Sequence, residues 1–345
     1  MNVSKLISRN ISDEKSLYLK KNWFLVGSKT EFQKQNDFKT FEIFNEPIIL
    51  YKFKNEIAAF TNICPHRGSR LKIDARGNKV LNCIYHGWAF NSKGDFISAP
   101  YQKKAFNNNQ VKNKCLDKWK VDCCGNLIFI TKKTNKILLK NYLAKSFSQL
   151  KKYSLNLENY IGTKEYLWSC NWKLAVENSI DEYHGPILHK NTFKNTLNLK
   201  PNYFFSNKVL SMNMPLNEKY VKSFSKKSFL FKDKKMNENF SHFLFFPNTT
   251  FATTMGLFSF LQTYFPINKK QTKVSTSIFL SRTNNNKKNE VLIKGIAEMA
   301  TKFNEEVFME DKIIVEDLQR NIDNGYEFSN FGNFETRIKK FRKLL

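Results

Sequence analysis

The 345-residue chain uses several residue types sparingly, and each shortage excludes a class of protein. Only 12 residues are glycine, and no two of them form a G-x-G, the start of the glycine-rich loop that binds nicotinamide dinucleotides. If the function uses such a cofactor, another protein must bind it. No uninterrupted run of ~20 apolar residues occurs, so we expect no membrane-spanning helix. The N-terminus mixes acidic and basic residues and lacks the apolar core of a signal peptide, which predicts a cytoplasmic protein.

Arginine is also scarce, although the chain is strongly basic. The formal net charge is +27, yet only 8 of the 57 basic residues are Arg. Nucleic-acid-binding proteins concentrate charge on one face and favour Arg for bidentate contacts, whereas the Lys runs here are short and scattered. We therefore predict no nucleic-acid partner. The diffuse charge is either a compositional bias or a means of faster encounter with an acidic protein partner.

Histidine is rarer still, with five residues in the chain. Four of them fall into two pairs: His66 with His86, and His184 with His189. The fifth, His242, stands alone. Cys64 and Cys83 precede the two members of the first pair by two or three residues. Six cysteines would suffice for three disulfides, but this placement favours metal ligands in a reducing compartment.

The hydrophobic pattern divides the chain into two parts. Residues 22–131 alternate in short apolar runs bounded by turn residues, which predicts an all-β module, and residues 141–153 predict a helical connector. Beyond it we predict a strand from Tyr160, a helix from about Asn171, strands near 242–253, 256–266 and 272–281, and a long helix from about 289 to 322. The predicted fold class is α+β, with an N-terminal segment 1–21 and domains at 22–135 and 136–345.

The first metal-ligand pattern consists of two short segments, C-P-H-R-G at residues 64–68 and C-I-Y-H-G-W at residues 83–88. A structural zinc site also uses two Cys and two His, but zinc fingers pair Cys with Cys and His with His. Here each segment offers one Cys and one His. That arrangement suits a two-iron cluster in which one iron takes both sulfurs and the other takes both imidazoles.

The two segments resemble the motif of Rieske iron–sulfur domains, in the form carried by Rieske non-haem iron oxygenases. The resemblance implies that Cys64, His66, Cys83 and His86 bind a [2Fe-2S] cluster at the tip of a small β domain. Neutral imidazoles in place of two thiolates raise the reduction potential above that of an all-Cys cluster.

A second pattern lies at residues 171–189. Asn178, Asp181 and His184 are three residues apart, which predicts a polar stripe on one helix that a following Gly-Pro pair ends or distorts. His189 then meets His184 from the next segment. The facial triad of non-haem iron oxygenases needs two His and one carboxylate, so the two imidazoles alone form an incomplete site.

The C-terminal helix offers the missing carboxylate. Asp311 lies near the middle of a local apolar stripe, where an unpaired charge is costly. The residues of this stripe are Val307, Phe308, Ile314, Val315 and Leu318. A Lys or Arg partner is the alternative to a metal, and Glu310 and Glu316 lie close enough in sequence to be confused with Asp311. The segments N-W-K-x3-E-N-x2-D-x-Y-H-x4-H, F-P-N and E-D-x3-V-E-x2-Q resemble the catalytic domain of the same oxygenase family.

This second resemblance implies that His184, His189 and Asp311 bind a mononuclear Fe(II). It implies that Asp181 bridges the two metal centres across the subunits of a homotrimer. The implied fold of residues 136–345 is a helix-grip domain, an antiparallel sheet around a long helix with the substrate pocket between them. The family also uses O2 as co-substrate, with electrons from NAD(P)H delivered through an external ferredoxin or flavin reductase.

The expected activity is that of a terminal oxygenase acting on a small organic substrate, with monooxygenation favoured over dioxygenation. The C-terminal segment resembles members that act on choline, betaine or carnitine, so we favour a methylated amine. The candidates for an aromatic cage around it are Phe243, Phe245, Phe246, Phe258, Phe260 and Tyr264. The favoured alternative is that these residues belong to the core, since the chain has 33 Phe and aromatic strands are mostly core. The alternatives are an aromatic-ring dioxygenase of the same family and a Rieske electron carrier with an inactive second domain.

Overall fold

The computed structural model describes residues 3–193, 196–197, 200–232, 238–284, 286–328 and 330–345. Within these ranges no helix combines the length and the apolar character needed to cross a bilayer. Two N-terminal helices come first, α1 (Val3–Ile7) and α2 (Ile11–Leu19).

The next part of the chain is a β domain. Its strands are Phe24–Ser28 (β1), Asp37–Ile43 (β2), Glu46–Lys52 (β3), Ile57–Thr61 (β4), Arg76–Asn78 (β5), Ala89–Phe90 (β6), Phe96–Ser98 (β7), Lys118–Cys124 (β8) and Leu127–Thr131 (β9). Seven of them form a sheet in the order β1-β9-β8-β4-β3-β2-β5, while β6 pairs with β7. Two single-turn helices, α3 (Gln102–Ala105) and α4 (Asn108–Val111), precede β8.

The connector between the two parts is two helices, α5 (Leu139–Leu143) and α6 (Ser146–Leu155), where the sequence predicts one. The break falls at Ala144, whose φ of 45° lies outside the right-handed helical region. Because α5 and α6 both contact β8, the connector packs closely on the β domain.

The strands of the C-terminal part are Leu157–Trp168 (β10), Asn202–Phe205 (β11), Val209–Pro215 (β12), Asn239–Phe245 (β13), Thr249–Thr254 (β14), Phe258–Asn268 (β15) and Gln271–Ser281 (β16). They form a second antiparallel sheet in the order β10-β16-β15-β14-β13-β12-β11. The helices are Trp172–Ser179 (α7), Gly185–Leu188 (α8), Glu218–Ser225 (α9), Lys287–Asp323 (α10) and Thr336–Leu344 (α11). Three short 3-10 helices lie at Lys29–Glu31, Ser228–Leu230 and Asn333–Glu335.

Two sequence predictions for this part differ from the structure. The strand predicted at 242–253 is a hairpin, because Phe245 pairs with Thr249 and the three residues between them form the turn. Pro247, in that turn, has no N–H to donate to a sheet. Ile314, predicted to lie on the buried stripe of α10, is 40% exposed.

The long helix α10 packs against α7, β10 and β16, which places it along the sheet as the α+β prediction requires. Its buried residues Phe308 and Val315 join the same apolar core as Trp168 and Trp172. The N-terminal segment also fixes α7, since buried Glu14 accepts a hydrogen bond from the Trp172 indole at 2.8 Å.

Candidate functional site

The two Cys-His segments fold into loops of the same conformation. In each, the glycine donates its backbone N–H to the cysteine carbonyl four residues earlier, at 3.0 Å for both Gly68 and Gly87. Their φ angles are +77° and +68°, a region that glycine adopts without strain. The loops therefore require glycine at these two positions and present their cysteine and histidine side chains in matched fashion.

Cys64 and Cys83 are buried, and the six cysteines, all of which lie in the described ranges, are free there. Burial, together with a hydrogen bond to the Cys83 thiol, raises the pKa of Cys64 to about 11. The rings of His66 and His86 lie 4.7 Å apart, and Nδ1 of His66 is buried with no hydrogen-bond partner in the described part of the chain. Two thiols and two imidazoles, one with an unpartnered buried nitrogen, fit the donor set of a Rieske cluster.

One side of these loops is packed and the other is open. Trp88 stacks on the His66 ring with an interplanar angle of 1°, and Phe106 meets the same ring edge-on. In contrast, Ile84 and Tyr85 are 51% and 57% exposed. The loops thus lie beside an exposed apolar surface.

The second group of predicted ligands lies beyond the end of α7. The predicted stripe of Asn178, Asp181 and His184 on one helix is wrong, because α7 ends at Ser179. A proline ring clashes with the carbonyl four residues earlier in a continuous helix, so Pro186 is accommodated in the first turn of α8 instead. His184 immediately precedes α8 and His189 immediately follows it.

Three side-chain atoms meet at this point. Nε2 of His184 lies 3.2 Å from Nε2 of His189, and Oδ1 of Asp311 lies 3.4 and 3.1 Å from these two nitrogens. Ligand atoms at about 2.1 Å from a metal and at right angles to one another are about 3.0 Å apart. The triangle therefore has the dimensions of a facial triad.

The other nitrogen of each imidazole faces a carboxylate. Nδ1 of His184 lies 3.2 Å from Oδ2 of Asp181, and Nδ1 of His189 lies 2.6 Å from Oε2 of Glu310. Glu310 accepts a hydrogen bond from Nδ1 of His189, and Asp181 lies close to Nδ1 of His184. Each ring can therefore offer the lone pair of Nε2 to a cation once Nε2 carries no proton. A set of two lone pairs and a carboxylate is a binding site for a cation.

The charges at the site agree with this description. Burial disfavours the charged form of His184, but the neighbouring carboxylates of Asp181 and Asp311 raise its pKa to about 9. Burial likewise opposes ionisation of Asp311, but the adjacent imidazoles of His184 and His189 lower its pKa to about 2. The site thus holds a stable carboxylate and draws a positive charge into the triangle.

The three carboxylates of α10 that the sequence could not separate make different contacts in the structure. Asp311 joins the triangle and has no Lys or Arg ion pair within the described part of the chain. Glu310 contacts His189 from outside the triangle and also accepts a hydrogen bond from the Thr192 hydroxyl at 3.0 Å. Glu316 accepts from the backbone N–H of Ser169 at 2.7 Å. The supporting role of Glu310 has no signal in the sequence apart from its position beside Asp311.

A cavity of about 310 Å³ opens onto the triangle. Of the six aromatic cage candidates, Phe258, Phe260 and Tyr264 line this cavity, whereas Phe243, Phe245 and Phe246 belong to the core, as the alternative predicts. Side chains alternate along a strand, so the faces of β13 that carry Phe243 and Phe245 point into the core behind the sheet. The further aromatic residues of the lining are Phe193, Tyr220, Phe224, Phe240 and Phe303.

Comparison with known proteins identifies both parts of the chain. Residues 22–126 match the model of the Rieske [2Fe-2S] domain, and residues 155–345 match the catalytic domain of ring-hydroxylating alpha subunits. The benzene 1,2-dioxygenase alpha subunit of Pseudomonas putida is 32% identical over 172 residues, covering 48% of this chain and 38% of that protein. The glycine betaine monooxygenase oxygenase subunit of Pseudomonas aeruginosa is 27% identical over 179 residues, covering 51% and 41%. Each match thus spans less than half of the relative.

Solved structures share the fold over nearly the whole chain. Naphthalene 1,2-dioxygenase with indole bound superposes with a TM-score of 0.78 at 18% identity, covering 99% of this chain and 90% of that one. A quaternary ammonium Rieske monooxygenase in complex with L-carnitine gives a TM-score of 0.75 at 21% identity, covering 96% and 90%. The predicted fold class, an all-β Rieske domain followed by an α+β catalytic domain, is confirmed.

Proposed function

Because the chain belongs to the family of ring-hydroxylating alpha subunits and carries a Rieske [2Fe-2S] domain, we propose that it is a terminal oxygenase component. In this role it takes electrons from an external NAD(P)H-dependent reductase or ferredoxin and uses O2 to hydroxylate or demethylate a small organic substrate. The observation that carries the proposal is the triangle of His184, His189 and Asp311 in the wall of a 310 Å³ cavity.

In the Rieske domain, Cys64, His66, Cys83 and His86 would hold the cluster, which transfers one electron at a time. The protein's part is to bury the donor atoms while leaving one side of the loops exposed. Tyr85 lies on that exposed side, in contact with the His86 ring at 3.7 Å. A short distance between the ligand shell and the surface suits exchange of electrons with a partner protein.

In the catalytic domain, His184, His189 and Asp311 would hold a mononuclear iron, which supplies the redox chemistry that activates O2. The surrounding residues fix the ligands. Glu310 orients His189 through Nδ1, and Asp181 does the same for His184. The aromatic walls of the cavity exclude water from a reactive oxidant.

Asp181 also lies beside an exposed apolar surface, since Tyr183 and Ile187 are 60% and 75% exposed. We assign to Asp181 the role of bridging two subunits, with the Rieske loops of one chain covering this surface of the next in a homotrimer. Its contact with His184 places it one side chain away from the proposed iron.

The substrate is proposed to be a methylated amine, because eight aromatic side chains line the cavity and aromatic faces attract quaternary ammonium groups. A different observation favours the aromatic-ring alternative. The described carboxylates in the cavity lining are Asp181, Glu182 and Asp311. Each already faces a His or Arg side chain, so none is left to balance the charge of a bound cation. An uncharged aromatic ring needs no such counter-charge.

The proposal is tested by oxygen uptake. Anaerobically purified protein with both metal centres filled is combined with a surrogate reductase and NADH, and methylated amines and aromatic compounds are screened for stimulation. We expect at least one small organic compound to stimulate uptake and to gain oxygen from 18O2. An electron carrier with an inactive second domain would show no substrate-dependent uptake and would contain no mononuclear iron.

A further inference from the structure

His242, the one histidine outside the two pairs, lies in the cavity wall. It belongs to β13, is 4% exposed, and lines the same cavity as His184, His189 and Asp311. The side chain is therefore a polar group placed in a mainly apolar lining, without any role in the triangle of ligands.

The protonation of His242 is fixed by Arg337 on α11. Nη1 of Arg337 lies 2.8 Å from Nδ1 of His242. A guanidinium has donors and no acceptor, so Nδ1 must accept and the ring proton must reside on Nε2. Burial and the nearby Arg337 charge both hold the pKa of His242 well below its usual range, so the ring stays neutral.

Arg337 is itself fixed by contacts on the side away from His242. It is 1% exposed and forms an ion pair with Glu182, whose Oε2 lies 3.1 Å from the Tyr203 hydroxyl. The positive charge of Arg337 is thus balanced within the wall. What this assembly presents to the cavity is the neutral Nε2–H of His242, which has no partner among the described residues.

Resting on the oxygenase function proposed above, we propose that His242 is a specificity-determining residue whose Nε2–H donates a hydrogen bond to an oxygen atom of the substrate. The substrate class is therefore a small molecule, either a methylated amine or an aromatic compound, that carries a carbonyl or carboxylate oxygen. A pure hydrocarbon would leave the buried donor unpaired, and sites of this kind discriminate strongly against a ligand that lacks the matching group. Arg337 acts as a positioning residue through His242.

The test uses two matched probe pairs and the anaerobic holoenzyme. Acetophenone and ethylbenzene differ by a carbonyl oxygen, and glycine betaine and ethyltrimethylammonium differ by a carboxylate. Dissociation constants are measured by calorimetry. We expect the oxygen-bearing member of at least one pair to bind about 10-fold more tightly than its partner. The first pair reports a carbonyl ligand and the second a carboxylate ligand.

Three variants separate recognition from structure. His242→Phe should reduce the preference within that pair to about one without weakening the probe that lacks oxygen. His242→Gln, which keeps an N–H donor, should retain part of the preference. Arg337→Met should also reduce the preference, because the proton of His242 is then no longer confined to Nε2, whereas Arg337→Lys should retain part of it.

Several results would overturn the inference: no preference in either pair, no binding by either oxygen-bearing probe, or an unchanged preference in His242→Phe. Equal weakening of both members of a pair in the two His242 variants would show a merely structural role and would also overturn it. Iron and sulfide are assayed on the same samples. A full metal content with no preference rejects only this inference, whereas an absence of the second-site iron rejects the proposed function.

Discussion

The two proposed metal sites differ in how the chain assembles them. The donors of the Rieske site come from two loops within residues 64–86, and each loop is closed by the same glycine-to-cysteine hydrogen bond. The donors of the second site come from residues on either side of α8 and from Asp311 on α10, more than a hundred residues later. The first site is a product of local turn geometry, whereas the second exists only when α10 packs against α7.

The sites also differ in exposure. Tyr85, beside the proposed Rieske ligands, is 57% exposed, whereas His189, a proposed ligand of the second site, is 1% exposed. An electron-transfer site needs a partner to come close, and an oxygen-activating site needs water kept away. The contrast implies that the metals load independently, so each can be removed by one substitution without loss of the other.

The largest change is expected from Cys64→Ser. The chain with both metal centres occupied should contain about three irons, two in the cluster and one in the second site. Loss of one thiolate ligand should remove the cluster with its visible spectrum and leave about one iron per chain. Cys115→Ser, at an exposed cysteine away from the loops, is the matched control and should keep the full content. Retention of the cluster spectrum in Cys64→Ser would contradict the ligand assignment.

The converse change is Asp311→Ala. It should lower the iron content from about three to two and abolish substrate-dependent oxygen uptake, while the cluster spectrum stays intact. Asp317→Asn is the control, because Asp317 lies on the same helix but is exposed and paired with Arg320. If Asp311→Ala kept all its iron, Asp311 would not be a ligand, and the triangle would need another explanation.

A smaller effect is expected where a residue supports a ligand. Glu310→Gln weakens the contact with Nδ1 of His189, now 2.6 Å long, by removing the negative charge of the acceptor. We expect the affinity for Fe(II) to fall about 10-fold to 100-fold, as for other partners of ligating histidines. The measurement is Fe(II) release to a chelator, with the cluster spectrum as internal reference.

The control for this prediction is Glu306→Gln. Glu306 lies one turn earlier on α10, and its side chain is 51% exposed beside Lys302. Its substitution should leave Fe(II) release unchanged. Equal release rates in the two variants would mean that Glu310 does not orient His189.

The same contrast explains which features of the two sites can be predicted from the sequence alone. The loops containing Cys64 and Cys83 are recognisable because their spacing is set by turns of four or five residues, and the long helix α10 is recognisable from its periodicity. Asp311 is distinguishable from Glu310 only once the rotation of α10 against α7 is known, because adjacent residues differ by about 100° around a helix. Likewise, the pairing of His242 with Arg337 joins residues 95 apart and has no local signature.

The smallest expected effect concerns the start of α7, whose far end leads to His184. The Asn171 side chain accepts a hydrogen bond from the Lys173 N–H at 3.1 Å and caps this helix, as Asn217 caps α9 through the Lys219 N–H at 2.9 Å. Replacing either asparagine by alanine should lower the free energy of unfolding by about 1 kcal/mol. Only Asn171→Ala should also speed Fe(II) release, because the second site depends on the position of α7 whereas α9 contributes none of its ligands. Denaturant unfolding and chelator assays on both variants test this, and equal Fe(II) release in the two would show that the site tolerates movement of α7.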